Sequence, residues 1–236
     1  MNTNATNKIE IIPAILVDDF ETLQDQIELI KLGTKRIQID ICDGQFVHNA
    51  TWPYRKPDNN FEMLIREDIS MPGWEKIDYE FDLMVNKPEE VVDDWVSVGA
   101  TRIVLHIESK GNVVEAVKKL AGRVEVGIAL NIDTPVGKIS EVLGDTSADT
   151  SAQFQFIQLM GIDQIGFQGQ EFDMKVITKI AEVKKAFPDL PISIDGGVSL
   201  ENAQDLIEAG ADRLIVGSAI FEAESPLNAL EEFQSL

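Results

Sequence analysis

Short apolar runs alternate along the chain with stretches whose apolar residues recur every three or four positions. The runs at 9–16, 36–40, 81–85, 103–106, 124–130, 156–160, 192–194 and 213–216 read as strands, the first interrupted by Pro13. Between the first two, Phe20, Leu23, Ile27 and Ile30 share one face of a helix that stops near Gly33. Pro88 suits the first helical position and opens a helix through Val91, Val92 and Trp95 that ends near Gly99. Further helices are predicted at 61–66, at 113–120, from Thr134-Pro135 onward, and at 174–187. The clearest helix lies between the last two strands. Ser199 can cap its start, Ala203, Leu206 and Ile207 share a face, and Gly210 ends it. The segment after the second strand is rich in turns, through Asp43-Gly44, Trp52-Pro53 and Pro57, and 144–152 reads as a surface loop.

Eight strands alternating with helices predict parallel βαβ units in a closed sheet, an α/β fold of the (β/α)8 TIM barrel type, as a single domain over 1–236. Such a barrel needs about 250 residues, and 236 residues with 44% hydrophobic content can fill one large core. An open doubly wound sheet is the rival, but it carries its glycine fingerprint after the first strand. Here that strand ends Ala14-Ile15-Leu16-Val17. Glycines close the last two strands instead, as Asp195-Gly196-Gly197 and Gly217-Ser218-Ala219. Without a Cβ, their backbone can approach an anion closely, and in barrels of this kind the loops after strands seven and eight commonly hold a phosphate.

Charge narrows the partners. The chain has 20 basic and 41 acidic residues, a net −21, which argues against nucleic acid and anionic membrane and reads most simply as a solvated acidic surface. One cysteine, Cys42, permits no internal disulfide and points to a reducing compartment. The polar start at 1–8 has no apolar signal core, and no run has the length of a membrane span. The expectation is a soluble cytoplasmic protein.

Catalytic groups of a barrel sit at the C-terminal ends of its strands. Read as a list, those ends are Gln38 and Asp40, Asp82 and Met84, His106, Asn131, Met160 and Asp195. Carboxylates crowded into one mouth raise one another's pKa unless a cation sits among them, so a metal site or a shared proton is expected.

The run Ile37-Gln38-Ile39-Asp40-Ile41-Cys42-Asp43-Gly44, with Phe46-Val47-His48-Asn49, resembles the signature of the ribulose-phosphate 3-epimerase family. So do Pro13-Ala14-Ile15-Leu16 with Asp19-Phe20, Asp82-Leu83-Met84-Val85, Gly166-Phe167-Gln168-Gly169-Gln170, Asp195-Gly196-Gly197-Val198 and Gly217-Ser218-Ala219-Ile220-Phe221. These matches keep family order over nearly the whole chain. The resemblance implies a ribulose-phosphate binding barrel that interconverts D-ribulose 5-phosphate and D-xylulose 5-phosphate through an enediolate. It assigns Asp40 and Asp195 as the base and acid, with a divalent metal stabilising the oxyanion. The phosphate would lie against Gly196, Gly197, Gly217 and Ser218, under the amides of Gly166 and Gly169.

Several positions depart from the family pattern. Gln38 and Asp82 stand where the family has its two metal-ligand histidines, Ala14 where it has a substrate-contacting serine, and Cys42 where it has a methionine; Met84 and Met160 are kept. Three carboxylates and an amide oxygen suit magnesium or manganese rather than zinc or iron. One reading is therefore an all-oxygen metal site of Gln38, Asp40, Asp82 and Asp195; the other is a hydrogen-bonded cluster with no metal. Ala14, Cys42, Met84, His106 and Met160 are expected to line the pocket, with His106 as a hydrogen bonder at the mouth and His48 in a surface loop. Asp163, in the loop at 161–170, must turn outward to spare a phosphate. Trp52, Tyr54, Arg55 and Lys56, in the long segment at 43–82, could cover the mouth and present cations or form a subunit contact.

Three functions remain open: an epimerase on a ketose phosphate, a lyase or aldolase on the same scaffold, and a non-catalytic phosphosugar-binding protein. The lyase branch carries an Asp-x-Lys-x-x-Asp pattern after strand two, and Asp40-Ile41-Cys42 lacks that lysine. The expected partner is a small phosphorylated sugar, and the expected assembly a homo-oligomer.

Overall fold

The computed structural model describes residues 9–56, 58–144 and 153–236. The polar start at 1–8, Pro57 and most of the loop expected at 144–152 lie outside the described residues. In chain order the elements are β1 (Glu10–Ile15), α1 (Phe20–Ile30), β2 (Arg36–Cys42), α2 (Asn60–Ile65), β3 (Asp78–Met84), α3 (Pro88–Ser97), β4 (Ala100–His106), α4 (Val113–Leu120), β5 (Glu125–Leu130), α5 (Lys138–Leu143), β6 (Phe156–Met160), α6 (Lys175–Ala186), β7 (Ile192–Asp195), α7 (Leu200–Ala209), β8 (Arg213–Val216), α8 (Ser218–Phe221) and α9 (Pro226–Gln234). The strands close in sequence order into one barrel, β1 pairing with both β2 and β8, and every pair is parallel. This is a TIM barrel.

Local signals explain most boundaries. Asp19 caps α1 by accepting the Thr22 N–H at 2.9 Å, and the helix buries Phe20, Leu23, Ile27 and Ile30. Ser199 and Asn202 form a capping box at the start of α7, and Gly210 closes it at φ 112°, a left-handed value that favours glycine. The helix expected from Thr134-Pro135 starts later, at Lys138. The intervening residues form tight turns, with Lys138 N–H donating to Pro135 O and Ile139 N–H to Val136 O. The sequence reading lacked α9, which Ser225 caps, Pro226 opens and Leu230 and Phe233 anchor.

Strand β3 begins before its apolar run, at Asp78, because the barrel interior is layered. At the bottom, Arg102 pairs with Glu125 at 2.6 Å and Glu80 at 3.4 Å, and Arg213 with Glu10 and Glu125 at 3.2 Å. Both guanidinium groups lie over the Phe156 ring, at 5.6 and 4.6 Å. Gly127 leaves room for that ring, since a Cβ there would sit 2.3 Å from it. Small apolar clusters, Ile12 with Ala14 and Ile215, and Val104 with Ala129 and Phe156, fill the interior above. The charges at the bottom and the carboxylates at the top interrupt the hydrophobic pattern of strands that the closed sheet nevertheless requires. Among the described residues no helix is long and apolar enough to cross a membrane.

Candidate active site

Three aspartates meet at the C-terminal mouth of the barrel. Asp40 and Asp82 are register partners on β2 and β3, and Asp195 ends β7 in register with Met160. Each offers an oxygen within 4.8 Å of the others, and all three are buried. Gln38, one inward position below Asp40, donates its Nε2–H to Asp40 Oδ1 at 2.8 Å and Asp195 Oδ2 at 2.7 Å. A second amide completes the brace. Gln158 on β6 donates Nε2–H to Asp82 Oδ2 and to Asp195 Oδ2, both at 3.1 Å. The His106 Nε2 lies 3.0 Å from the remaining Asp82 oxygen, Oδ1.

Burial, and then the Asp82 charge, push the Asp40 carboxyl up to about 8. Burial and the charges of Asp40 and Asp82 hold Asp195 well above the usual carboxylate range. At His106 burial opposes the cation, but the facing carboxylates Asp82, Glu108 and Asp195 outweigh it and raise the imidazole. The centre is thus short of positive charge at neutral pH. The donor set is oxygen apart from His106, whose Nε2 faces Asp82, and both glutamine carbonyl oxygens are buried without a hydrogen-bond partner among the described residues. Carboxylate and orphaned amide oxygens fit a hard divalent cation.

A cleft opens onto this centre. Asp40 and Asp195 face it, with Ala14, Met84 and Met160 on the walls and Gly166, Gly169, Gly196, Gly197, Gly217 and Ser218 around the outer end. Cys42 and His106, expected on the lining, lie behind it instead, as do Gln38 and Asp82. Cys42 packs with Met84, Met160, Ile162 and Ile165, and burial raises its thiol far from a nucleophilic state. His106 is fully buried, with the Phe46 ring 5.3 Å away. Asn131, just past the end of β5, does not line the cleft; its backbone N–H donates to Glu108 and its backbone carbonyl accepts from Lys179.

The glycine turns are shaped by close approach. Gly196 and Gly197 have φ of 99° and 68°, and a Cβ on Gly197 would come 2.9 Å from Phe172 Cα. Gly217 does not share their left-handed backbone. Its φ is −96°, and its need is space, since a Cβ would lie 3.0 Å from Gln168 Nε2. The loop over the cleft is tied down at its start, by Gly161 N–H to Asp195 O at 2.6 Å, and at its middle, by Asn49 Nδ2–H to Gly166 O at 2.8 Å. Asp163 is exposed, facing away from the cleft, and His48 is an exposed loop residue.

The long segment after β2 does not bring cations to the cleft. Lys56 pairs with Asp19 at 2.6 Å and Arg55 with Asp18 at 3.7 Å, while Trp52 is buried beside Phe20, Phe61 and Trp95. Gln158 was absent from the sequence-derived site. Its signal was present, since an amide two residues before Met160 in the apolar run Phe156-Ile157-Gln158-Leu159-Met160 must share Met160's inward face.

Comparison with known proteins agrees with this geometry. A family model described as the Ribulose-phosphate 3 epimerase family matches residues 10–221. The chain is 32% identical over 233 residues to the Ribulose-phosphate 3-epimerase of Bacillus subtilis, covering 96% of this chain and 98% of that one. It is 30% identical over 222 residues to the Eremothecium gossypii protein of the same name, covering 90% and 86%. Among solved structures, a 3-hexulose-6-phosphate synthase superposes with a TM-score of 0.68 at 18% identity, covering 96% of this chain and 99% of that one, a likeness of fold.

Proposed function

Because the chain belongs to the ribulose-phosphate 3-epimerase family, we propose that it inverts C3 of a ketose phosphate, D-ribulose 5-phosphate and D-xylulose 5-phosphate or a related phosphosugar. The observation that carries this reading is that Asp40 and Asp195 face one cleft whose outer end is lined by Gly196, Gly197, Gly217 and Ser218. In one direction one carboxylate takes the C3 proton, leaving a planar enediolate, and the other carboxyl returns a proton to the opposite face. The Asp40 carboxyl, pushed up to about 8, supports this exchange, because a carboxyl that titrates near the working pH can be either donor or acceptor, and burial with the neighbouring carboxylates raises Asp195 as well. The Met84 and Met160 side chains suit the flat intermediate and keep water from it.

Asp40, Asp82 and Asp195, with the Gln38 amide oxygen, would hold a divalent cation, magnesium or manganese rather than zinc or iron. When bound, such a cation stabilises negative charge on the enediolate oxygens. His106 keeps Asp82 oriented, and the glycine turns hold the phosphate so that remote binding fixes C3 between the two carboxyl groups. No lysine lines the cleft among the described residues, so a Schiff-base aldolase has no support.

Incubation with D-ribulose 5-phosphate in deuterated water, with Mg²⁺ or Mn²⁺, tests the reading. The expected result is solvent deuterium at C3 and appearance of the 3-epimer, slowed by about 10²- to 10⁴-fold in Asp40→Asn and in Asp195→Asn. Tight binding of the sugar phosphate with no exchange under any of these conditions would instead make the protein a phosphosugar binder without catalysis.

A further inference from the structure

We infer that Gln158 is itself a cation ligand, and that Gln38 and Gln158 form a pair of reversing amides, N–H toward the carboxylates without a cation and carbonyl oxygen toward it with one. The inference rests on the site proposed above but not on the reaction assigned to it. Both side chains are fully buried, and both direct the amide into the space between two carboxylates. In each the NH₂ donates to two carboxylate oxygens, while Oε1 has no partner among the described residues. An amide buried with one end over-used and the other unused is half satisfied, an arrangement folded proteins avoid.

The neighbouring residues supply the missing half. Gln38 is the register partner of Glu80 on β3, and Gln158 that of Ser193 on β7. Glu80 Oε1 and Ser193 Oγ are themselves buried without partners. Each orphaned amide oxygen therefore has an orphaned side-chain oxygen that can accept an N–H on the adjacent strand. A half-turn about the last side-chain torsion exchanges Oε1 and Nε2 at little steric cost. It offers N–H to the layer of Glu80 and Ser193 and turns both carbonyl oxygens toward the aspartates. Oxygen facing oxygen is repulsive by itself, so the reversed state requires a positive charge between them.

A divalent cation provides that charge and meets three carboxylates and two amide oxygens. Asp82 stays fixed through the exchange because His106 holds its other oxygen at 3.0 Å. Sulfur and imidazole are absent from this set, so it selects hard ions such as Mg²⁺ and Mn²⁺ over Zn²⁺. Gln158 would then be the feature that makes up for the lack of imidazole ligands in this chain.

Mn²⁺ titration of chelator-treated full-length protein, followed by electron paramagnetic resonance or calorimetry, reads the inference without turnover. Gln158→Leu is expected to weaken Mn²⁺ binding by about tenfold or more, and Gln158→Glu, which keeps an oxygen ligand, to retain it. In the wild type, Mg²⁺ should shift the side-chain amide resonances of both Gln38 and Gln158, assigned by their loss in Gln38→Leu and Gln158→Leu. Unchanged Mn²⁺ affinity in a folded Gln158→Leu, or Mg²⁺ binding that leaves the wild-type Gln158 amide resonances in place, would overturn the inference. A wild type that binds the ion and turns both amides but exchanges no C3 proton upholds it while removing the epimerase reading.

Discussion

Asp195 Oδ2 accepts N–H from both Gln38 and Gln158, and Asp40 shares the first of these donors, so the proton inventory of the site is set by two neutral amides. Burial, and after it the Asp82 charge, raises Asp40 from 3.8 to about 8, and the neutral Gln38 donor softens that rise without cancelling it. A carboxyl whose folded pKa exceeds its unfolded value adds stability below about 3.8 and loses it as pH rises through about 8. A cation competes with protons for the same oxygens, so the stabilisation it brings grows over that window. Thermal melts with and without Mg²⁺ should therefore show a larger upward shift at pH 8 than at pH 5; an equal shift at both would place the ion elsewhere. The three aspartates were legible from strand ends alone, because alternation fixes which residues face inward. Gln158 escaped that reading because it sits one layer below the strand end, where Met160 is the last inward side chain.

At the scale of elements, the β7 turn is held by the helix that follows it. Asn202 on α7 accepts the Ser199 N–H at 2.9 Å and donates Nδ2–H to Gly197 O at 2.9 Å, so one side chain both caps the helix and fixes the outer end of the cleft. Asn202→Ala removes both bonds. Loss of a cap costs about 0.5–2 kcal/mol, and the freed turn should raise KM for the sugar phosphate more than it lowers kcat. Steady-state kinetics beside a melting curve separate the two effects; an unchanged KM in a destabilised variant would mean that Phe172 and Ile162, packed on the turn, hold it unaided. Helix α7 itself was readable to the residue, since its cap, apolar face and terminal glycine all agree. The start of α5 was not, because Thr134-Pro135 signals a turn as well as it signals a helix. Helix α9 escaped notice although Ser225-Pro226 announces it, there being no further strand to make it part of a repeating unit.

Across the whole molecule, the barrel interior passes from a charged floor through an apolar middle to a carboxylate mouth, and the floor has its own pH signature. Glu80 is fully buried there, 3.4 Å from Arg102. Burial pushes its carboxyl from 4.5 up to about 7, although Arg102, Arg213 and Arg36 pull the other way. The unfolded chain releases this proton near 4.5 and the folded chain only near 7, so the folded state is favoured below 4.5 and loses that advantage as pH rises through 7. The shift corresponds to about 3 kcal/mol at 1.36 kcal/mol per pKa unit. Glu80→Gln mimics the protonated form and carries no such dependence. Denaturant unfolding of the two proteins should therefore give a stability difference that moves in the variant's favour by roughly that amount between pH 4 and pH 8. A gap independent of pH would show that the arginines of the floor hold the folded Glu80 carboxyl at the value it has in the unfolded chain.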